Sequence, residues 1–67
     1  MPIIRVELFK GRSREQKRVL VRELTDTYVR VAGGKPESVT VILQDVDKED
    51  WGAARALVNG RQVPRLK

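Results

Sequence analysis

The sequence contains no cysteine and no histidine among its 67 residues. These absences exclude disulfides and remove the usual ligands of zinc and copper. A domain this small buries a modest fraction of its surface and commonly needs disulfides, a metal or partner subunits for stability. The sequence therefore predicts a single domain over residues 1–67 that is stabilised by oligomerisation.

Long apolar runs are absent as well. No stretch approaches the roughly 20 apolar residues that cross a bilayer, and the chain shows no signal-peptide pattern of a basic start, an apolar segment and a small-residue cleavage site. A cytoplasmic location with no membrane partner is the resulting expectation.

Aromatic residues are scarce, since Phe9, Tyr28 and Trp51 are the only three, whereas the net charge is +5. A basic chain favours anionic partners, and both nucleic acid and small carboxylates belong to that class. Single-stranded nucleic acid is usually bound on several stacked aromatic rings. Because the rings are few and the basic residues are scattered, a small carboxylate is the favoured partner and a nucleic-acid-binding module the weakest alternative.

Two segments have the pattern of β-strands. Residues 2–9 alternate, with Ile4, Val6 and Leu8 on one face and Ile3 and Phe9 on the other. Pro2 suits the first position of a strand because it removes no hydrogen bond from the interior of the ladder. A second segment rich in β-branched residues, 39–43, predicts a strand that extends to about residue 45.

The segment between these strands predicts one long helix. Ser13 and Gln16 have the spacing of a capping box. Helical periodicity then continues to about Ala32 and ends at Gly33-Gly34. The predicted apolar stripe contains four residues at helical spacing: Leu20, Leu24, Tyr28 and Val31.

A strand, a helix and a strand predict an α+β fold, a β-α-β unit with parallel strands and a right-handed crossover. The helix covers one face of the sheet. Two strands are too few for independent stability, so the sheets of two subunits are expected to join. Asn59-Gly60 predicts a tight hairpin turn, and residues 64–67 predict an arm laid on a neighbour or a frayed end.

Met1-Pro2 carries the sharpest chemical hypothesis. Removal of Met1 turns Pro2 into a secondary amine, and no other residue of the chain resembles a catalytic base. An apolar pocket and nearby cations such as Arg5 and Arg12 disfavour the protonated amine, which lowers the pKa of Pro2 towards neutrality, where a general base works best. The alternative is that Pro2 only begins a strand.

Arg12 and Trp51 are the other candidate site residues. Arg12 precedes the helix, and a guanidinium can bind a carboxylate through two parallel hydrogen bonds next to the favourable field of a helix N-terminus. Arg12 could equally be an exposed turn charge. Trp51 could form an apolar wall that keeps water from the site, or it could fill an interface between subunits.

Taken together, these features resemble the 4-oxalocrotonate tautomerase family over residues 2–52. The resemblance depends on a few short segments around one long helix: Pro2, Gly11-Arg12-Ser13, Glu15-Gln16-Lys17, the 39–43 strand and Trp51-Gly52. It implies dimers with a shared four-stranded sheet, assembled as trimers of dimers into hexamers, and an isomerase of aromatic-compound catabolism that needs no metal or organic cofactor.

The resemblance also assigns roles to residues. It implies that Met1 is removed and that Pro2 moves a proton within an unsaturated 2-hydroxy or 2-oxo dicarboxylic acid such as 2-hydroxymuconate. It implies that Arg12, contributed by a neighbouring subunit, binds a substrate carboxylate. Trp51 stands where the family usually has phenylalanine and would form the apolar wall.

One position departs from the family in a way that affects the chemistry. The family's typical enzyme has an arginine in the second strand that polarises the 2-oxygen of the substrate, and Thr40 stands there in this sequence. Loss of such a stabiliser can slow a reaction on the order of 10²-fold.

Several explanations for the missing arginine stay open. Thr40 and Arg5 are taken as substrate-binding residues, and Arg5, Arg55 or Arg61 could replace the missing cation. A related chain could supply it in a heterohexamer, the alternative to a homohexamer. The reaction could instead be hydration or dehalogenation of an unsaturated short-chain acid. Ala53-Ala54-Arg55 also replaces the family's glycine-rich segment.

Overall fold

Two parallel strands form the sheet in the computed structural model, which describes residues 1–54, 56 and 57. Strand β1 spans Ile3–Phe9 and strand β2 spans Thr40–Val46, with a register that runs from Ile3 opposite Thr40 to Phe9 opposite Val46. The predicted second strand began one residue too early, because the Val39 N–H donates to the Pro36 carbonyl at 3.2 Å and ends a 3-10 helix, Pro36–Ser38.

Helix α1, Arg14–Ala32, connects the two strands, and its predicted capping box is confirmed. The Gln16 N–H donates to Ser13 Oγ at 3.1 Å, and the Ser13 N–H donates to Gln16 Oε1 at 2.9 Å. Both bonds satisfy amides that the first turn of a helix leaves unpaired. Gly33 ends the helix at a φ of 86°, where its N–H donates to the Val29 carbonyl at 2.9 Å.

The face that α1 turns towards the sheet differs from the predicted stripe at its end. Leu20, Leu24 and Tyr28 are half-buried, as the helical period predicts. Val31, however, is 74% exposed, so the prediction that it continues the stripe is wrong. The half-buried face instead ends at Tyr28 and Val29, before the last residues of α1.

The two faces of the sheet have different surroundings. Ile4, Val6 and Leu8 are half-buried on the face that α1 covers. The opposite face carries Ile3, which is 61% exposed, and Phe9. Among the described residues none is fully buried. Among the described residues, most of this face and the outer edge of β1 have no partner, as the sequence predicts for a subunit of an oligomer.

A short hairpin follows the sheet. After a 3-10 helix, Lys48–Asp50, strand β3, Gly52–Ala53, pairs antiparallel with strand β4, Ala56–Leu57. The predicted hairpin turn at Asn59-Gly60 and the predicted C-terminal arm lie outside the described residues. In the part of the chain that the structure describes, no helix has both the length and the apolar character to cross a membrane.

Candidate active site

Pro2 lies at the start of β1 and is half-buried, while Met1 in front of it is 91% exposed. The Pro2 carbonyl accepts a hydrogen bond of 3.0 Å from the Thr40 N–H, so the first bond of the parallel ladder fixes Pro2 against β2. Since the carbonyl accepts this bond, the Pro2 nitrogen takes no part in it. Loss of Met1 would expose that nitrogen without breaking the contact that holds the residue.

Thr40 and Arg5 lie near Pro2 on the open face of the sheet. Thr40 pairs with Ile3 and is half-buried, and Arg5 pairs with Ile42 one step further along the same face. Paired residues of parallel strands present their side chains on one face. Arg5 is exposed, and it forms no ion pair with any other described residue. The structure thus brings Thr40 and Arg5 to the end of the sheet that holds Pro2.

Arg12 lies at the other end of β1, in the turn before α1. Gly11 precedes it at a φ of 119°, a backbone conformation that favours glycine. Arg12 is exposed, and its Nη1 donates to the Phe9 carbonyl at 3.5 Å, a long and therefore weak bond. Most of its donors remain available for a carboxylate.

Trp51 packs beside that turn on Phe9. The two ring centroids are 4.4 Å apart and the rings are inclined at 57°. Lys48 Nζ lies 5.6 Å from the centroid of the Phe9 ring on the same cluster. Sequence analysis proposed Trp51 as a wall of the site, but it did not predict the contact with Phe9, which depends on the path of the 3-10 helix over Lys48–Asp50.

An open cavity of about 190 Å³ adjoins Trp51 and contains two carboxylates that sequence reasoning missed, Glu7 and Asp50; Val46 and Gly52 complete its lining. Glu7 could have been found from strand alternation, since it shares the open face with Phe9. Within residues 1–54, 56 and 57, no three potential ligands from His, Cys, Asp or Glu come together as a metal site.

The candidate residues therefore form two separate groups in one chain. Pro2, Thr40 and Arg5 lie towards one end of the sheet, whereas Arg12, Phe9 and Trp51 lie at the other. The seven residues of β1 separate the ends, a span of roughly 23 Å. Arg55 and Arg61, the other predicted replacements for the missing cation, lie outside the described residues.

Comparison with known proteins gives an independent line of observation. The family model described as "Tautomerase enzyme" matches residues 2–59. The 2-hydroxymuconate tautomerase of Comamonas testosteroni is 37% identical over 54 residues, which cover 81% of this chain and 86% of that protein.

Solved structures agree with the sequence matches. A structure from work on the 4-oxalocrotonate tautomerase isozymes of Methylibium petroleiphilum has a TM-score of 0.83 at 34% identity, covering 90% of this chain and 100% of that one. A structure from a heterohexameric 4-oxalocrotonate tautomerase of Chloroflexus aurantiacus has a TM-score of 0.77 at 30% identity, covering 81% of this chain and 87% of the other.

Proposed function

This chain belongs to the tautomerase family of enzymes, and we propose that it moves a proton within an unsaturated 2-hydroxy or 2-oxo carboxylic acid, without a cofactor. The proposed representative substrate is 2-hydroxymuconate, the compound in the name of the Comamonas testosteroni relative. The observation that carries the proposal is the position of Pro2, at which the family match begins and whose carbonyl, not its nitrogen, is hydrogen-bonded to β2.

In the proposed reaction the Pro2 amine, freed by removal of Met1, acts as a general base and then as an acid. The substrate O–H bond breaks as Pro2 accepts its proton, the conjugated double bonds shift, and the same proton forms a C–H bond further along the chain. No electron is gained or lost overall. The 91% exposure of Met1 supports the first requirement, because a trimming enzyme can reach it.

Arginine side chains supply the proposed electrostatic part of the site. Arg12 binds one substrate carboxylate, a role supported by its exposure and its weak internal bond. Arg5 serves as the second cation, since it is the next residue after Ile3, the partner of Thr40, on the same face of β1. Thr40 contributes a hydroxyl to the substrate oxygen, and Trp51 forms the apolar wall beside Arg12 together with Phe9.

The proposed site is completed by neighbouring subunits. Arg12 of one copy and Pro2 of another meet when two β1 edges pair, and further copies cover the open sheet face in a hexamer. A homohexamer satisfies this requirement. A heterohexamer with a related chain also satisfies it. The threonine at position 40 favours this assembly, because the unlike chain could supply the second arginine. The Chloroflexus aurantiacus protein is a heterohexamer of this kind of enzyme.

The test combines intact-mass measurement with an ultraviolet assay on 2-hydroxymuconate. The expected mass lacks Met1, and Pro2→Ala is expected to lose on the order of 10²-fold or more in kcat. Arg14→Ala, a cation in the first turn of α1, serves as the matched control and keeps its rate. Equal rates for the trimmed wild type and Pro2→Ala, with any unlike chain present, would refute Pro2 as the base.

Hydration or dehalogenation of a short unsaturated acid is the second candidate, and the Thr40 position favours it. A hydroxyl in place of a cation suits a water molecule better than a developing enolate. Product analysis separates the candidates, since a tautomerase returns an isomer of unchanged mass, whereas a hydratase adds one water.

A further inference from the structure

We propose that the ion pair between Lys17 and Asp45 positions the turn that carries Arg12, so that this guanidinium is held ready for a substrate carboxylate. The proposal rests on the proposed carboxylate-binding role of Arg12. Lys17 and Asp45 do not touch the substrate in this account, and they act through the backbone of the turn.

The pair differs from the other ion pairs of the described residues in the elements that it connects and in the burial of its side chains. Lys17 Nζ lies 2.5 Å from Asp45 Oδ2, and the two side chains are 30% and 32% exposed. The pair between Arg18 and Glu15 lies along the helix surface, with side chains 70% and 72% exposed. Among the described residues, only the Lys17 pair connects α1 to the sheet, and partial burial leaves it less screened by solvent and salt.

The connection from Lys17 to Arg12 is short. The Lys17 N–H donates to the Ser13 carbonyl at 3.1 Å, and Ser13 is the residue next to Arg12. Ser13 also caps α1 through Gln16. A shift of Lys17 away from β2 would therefore move the first turn of α1 and, with it, the backbone of Arg12.

The other side of the turn is fastened to the same strand end. The Lys10 N–H donates to the Val46 carbonyl at 3.0 Å, and Val46 directly follows Asp45. Between these two attachments the backbone contains Gly11 at a φ of 119°, a residue with wide conformational freedom. Within the described residues the side chain of Arg12 makes one hydrogen bond, the 3.5 Å bond to Phe9, so its position depends on the attachments on either side.

The experiment measures binding of fumarate, an unreactive unsaturated dicarboxylate, to the assembled protein. Trp51 is the only tryptophan, and its ring lies beside this turn, so its fluorescence reports binding at this place. Turnover of 2-hydroxymuconate by the same samples gives KM and kcat separately. Lys17→Met and Asp45→Asn are compared with Arg18→Met and Glu15→Gln, which remove the same charges from the exposed pair.

Lys17→Met and Asp45→Asn are expected to raise the fumarate Kd and the KM on the order of tenfold, with kcat changed less than about twofold. The exposed-pair controls are expected to stay at the wild-type Kd. The exchange variant Lys17→Asp with Asp45→Lys is expected to recover most of the affinity. A purely structural role would instead lower kcat and the free energy of unfolding together with the affinity.

Wild-type fumarate affinity in Lys17→Met and Asp45→Asn overturns the proposal, as does an exchange variant that binds no better than the single variants. Should a single variant fail to assemble, the exchange variant decides alone. An Arg12→Ala variant that binds fumarate normally also overturns the proposal, because Arg12 would then have no part in carboxylate binding. The proposed reaction is refuted by a different result, full turnover by Pro2→Ala. In that case the fumarate affinities would still test the positioning role of Lys17 and Asp45.

Discussion

Pro2 and Arg12 lie beyond opposite ends of strand β1, with all seven residues of the strand between them. That strand spans roughly 23 Å, which an arginine side chain cannot bridge. One substrate molecule can contact both residues only when they come from different chains. Because β1 has a free edge in the described sheet, antiparallel pairing of two β1 edges would place Pro2 of one copy near Arg12 of the other.

The Thr40 position predicts a gain of activity. Thr40→Arg should accelerate 2-hydroxymuconate turnover about tenfold or more, because the new guanidinium stabilises charge on the 2-oxygen. The hydrogen bond to Pro2 uses the Thr40 backbone and survives the change. Gln44→Arg, which adds the same charge on the same face further from Pro2, is the control in steady-state kinetics. Equal rates for the two variants would contradict the placement of position 40 beside the 2-oxygen of the substrate.

The aromatic contact at Phe9 predicts that ring shape matters at position 51. Trp51→Phe should keep kcat/KM close to the wild type, because a smaller ring still packs on Phe9 and excludes water. Trp51→Ala should lower kcat/KM about tenfold, since it removes the ring that shields Phe9 and the adjoining turn from solvent. Steady-state kinetics on the three proteins checks the order, and an alanine variant as active as the wild type would contradict the proposed wall.

The capping box predicts an effect on the free energy of unfolding. Ser13→Ala should lower the free energy of unfolding by about 1 kcal/mol, because the Gln16 amide loses its acceptor at the start of α1. Thr27→Ala, on an exposed position in the middle of the same helix, is the control and should change stability little. Urea unfolding at one fixed protein concentration makes the comparison, since assembly contributes to stability. Equal midpoints for the two variants would contradict the prediction.

Local patterns predicted most of the chain's architecture for physical reasons. The two-residue period of β1 places Ile4, Val6 and Leu8 beneath the helix, and Ser13 with Gln16 begins α1 where the capping box indicates. Val31 was mispredicted because helical period alone does not tell where the sheet beneath a helix ends. Val39 was mispredicted because its β-branched side chain favours a strand while its amide completes a turn.

The site was less predictable than the fold. Pro2 and Arg12 were identifiable from residue chemistry, but their separation follows from the length of β1 and the position of the turn. The pairing of Lys17 with Asp45 was hidden because charged residues on a helix usually face solvent, and 28 positions separate the two. Contacts of this range depend on the packing of α1 against β2, which no local pattern specifies.

Mixing two inactive variants tests most directly whether the site is shared between chains. Pro2→Ala and Arg12→Ala are purified separately, unfolded, combined in equal amounts and refolded, and turnover of 2-hydroxymuconate is measured. A shared site predicts recovery of roughly a quarter of the wild-type rate, since random assembly gives each site an even chance of an intact Pro2 and an even chance of an intact Arg12. A mixture no more active than either variant refolded alone would contradict the account.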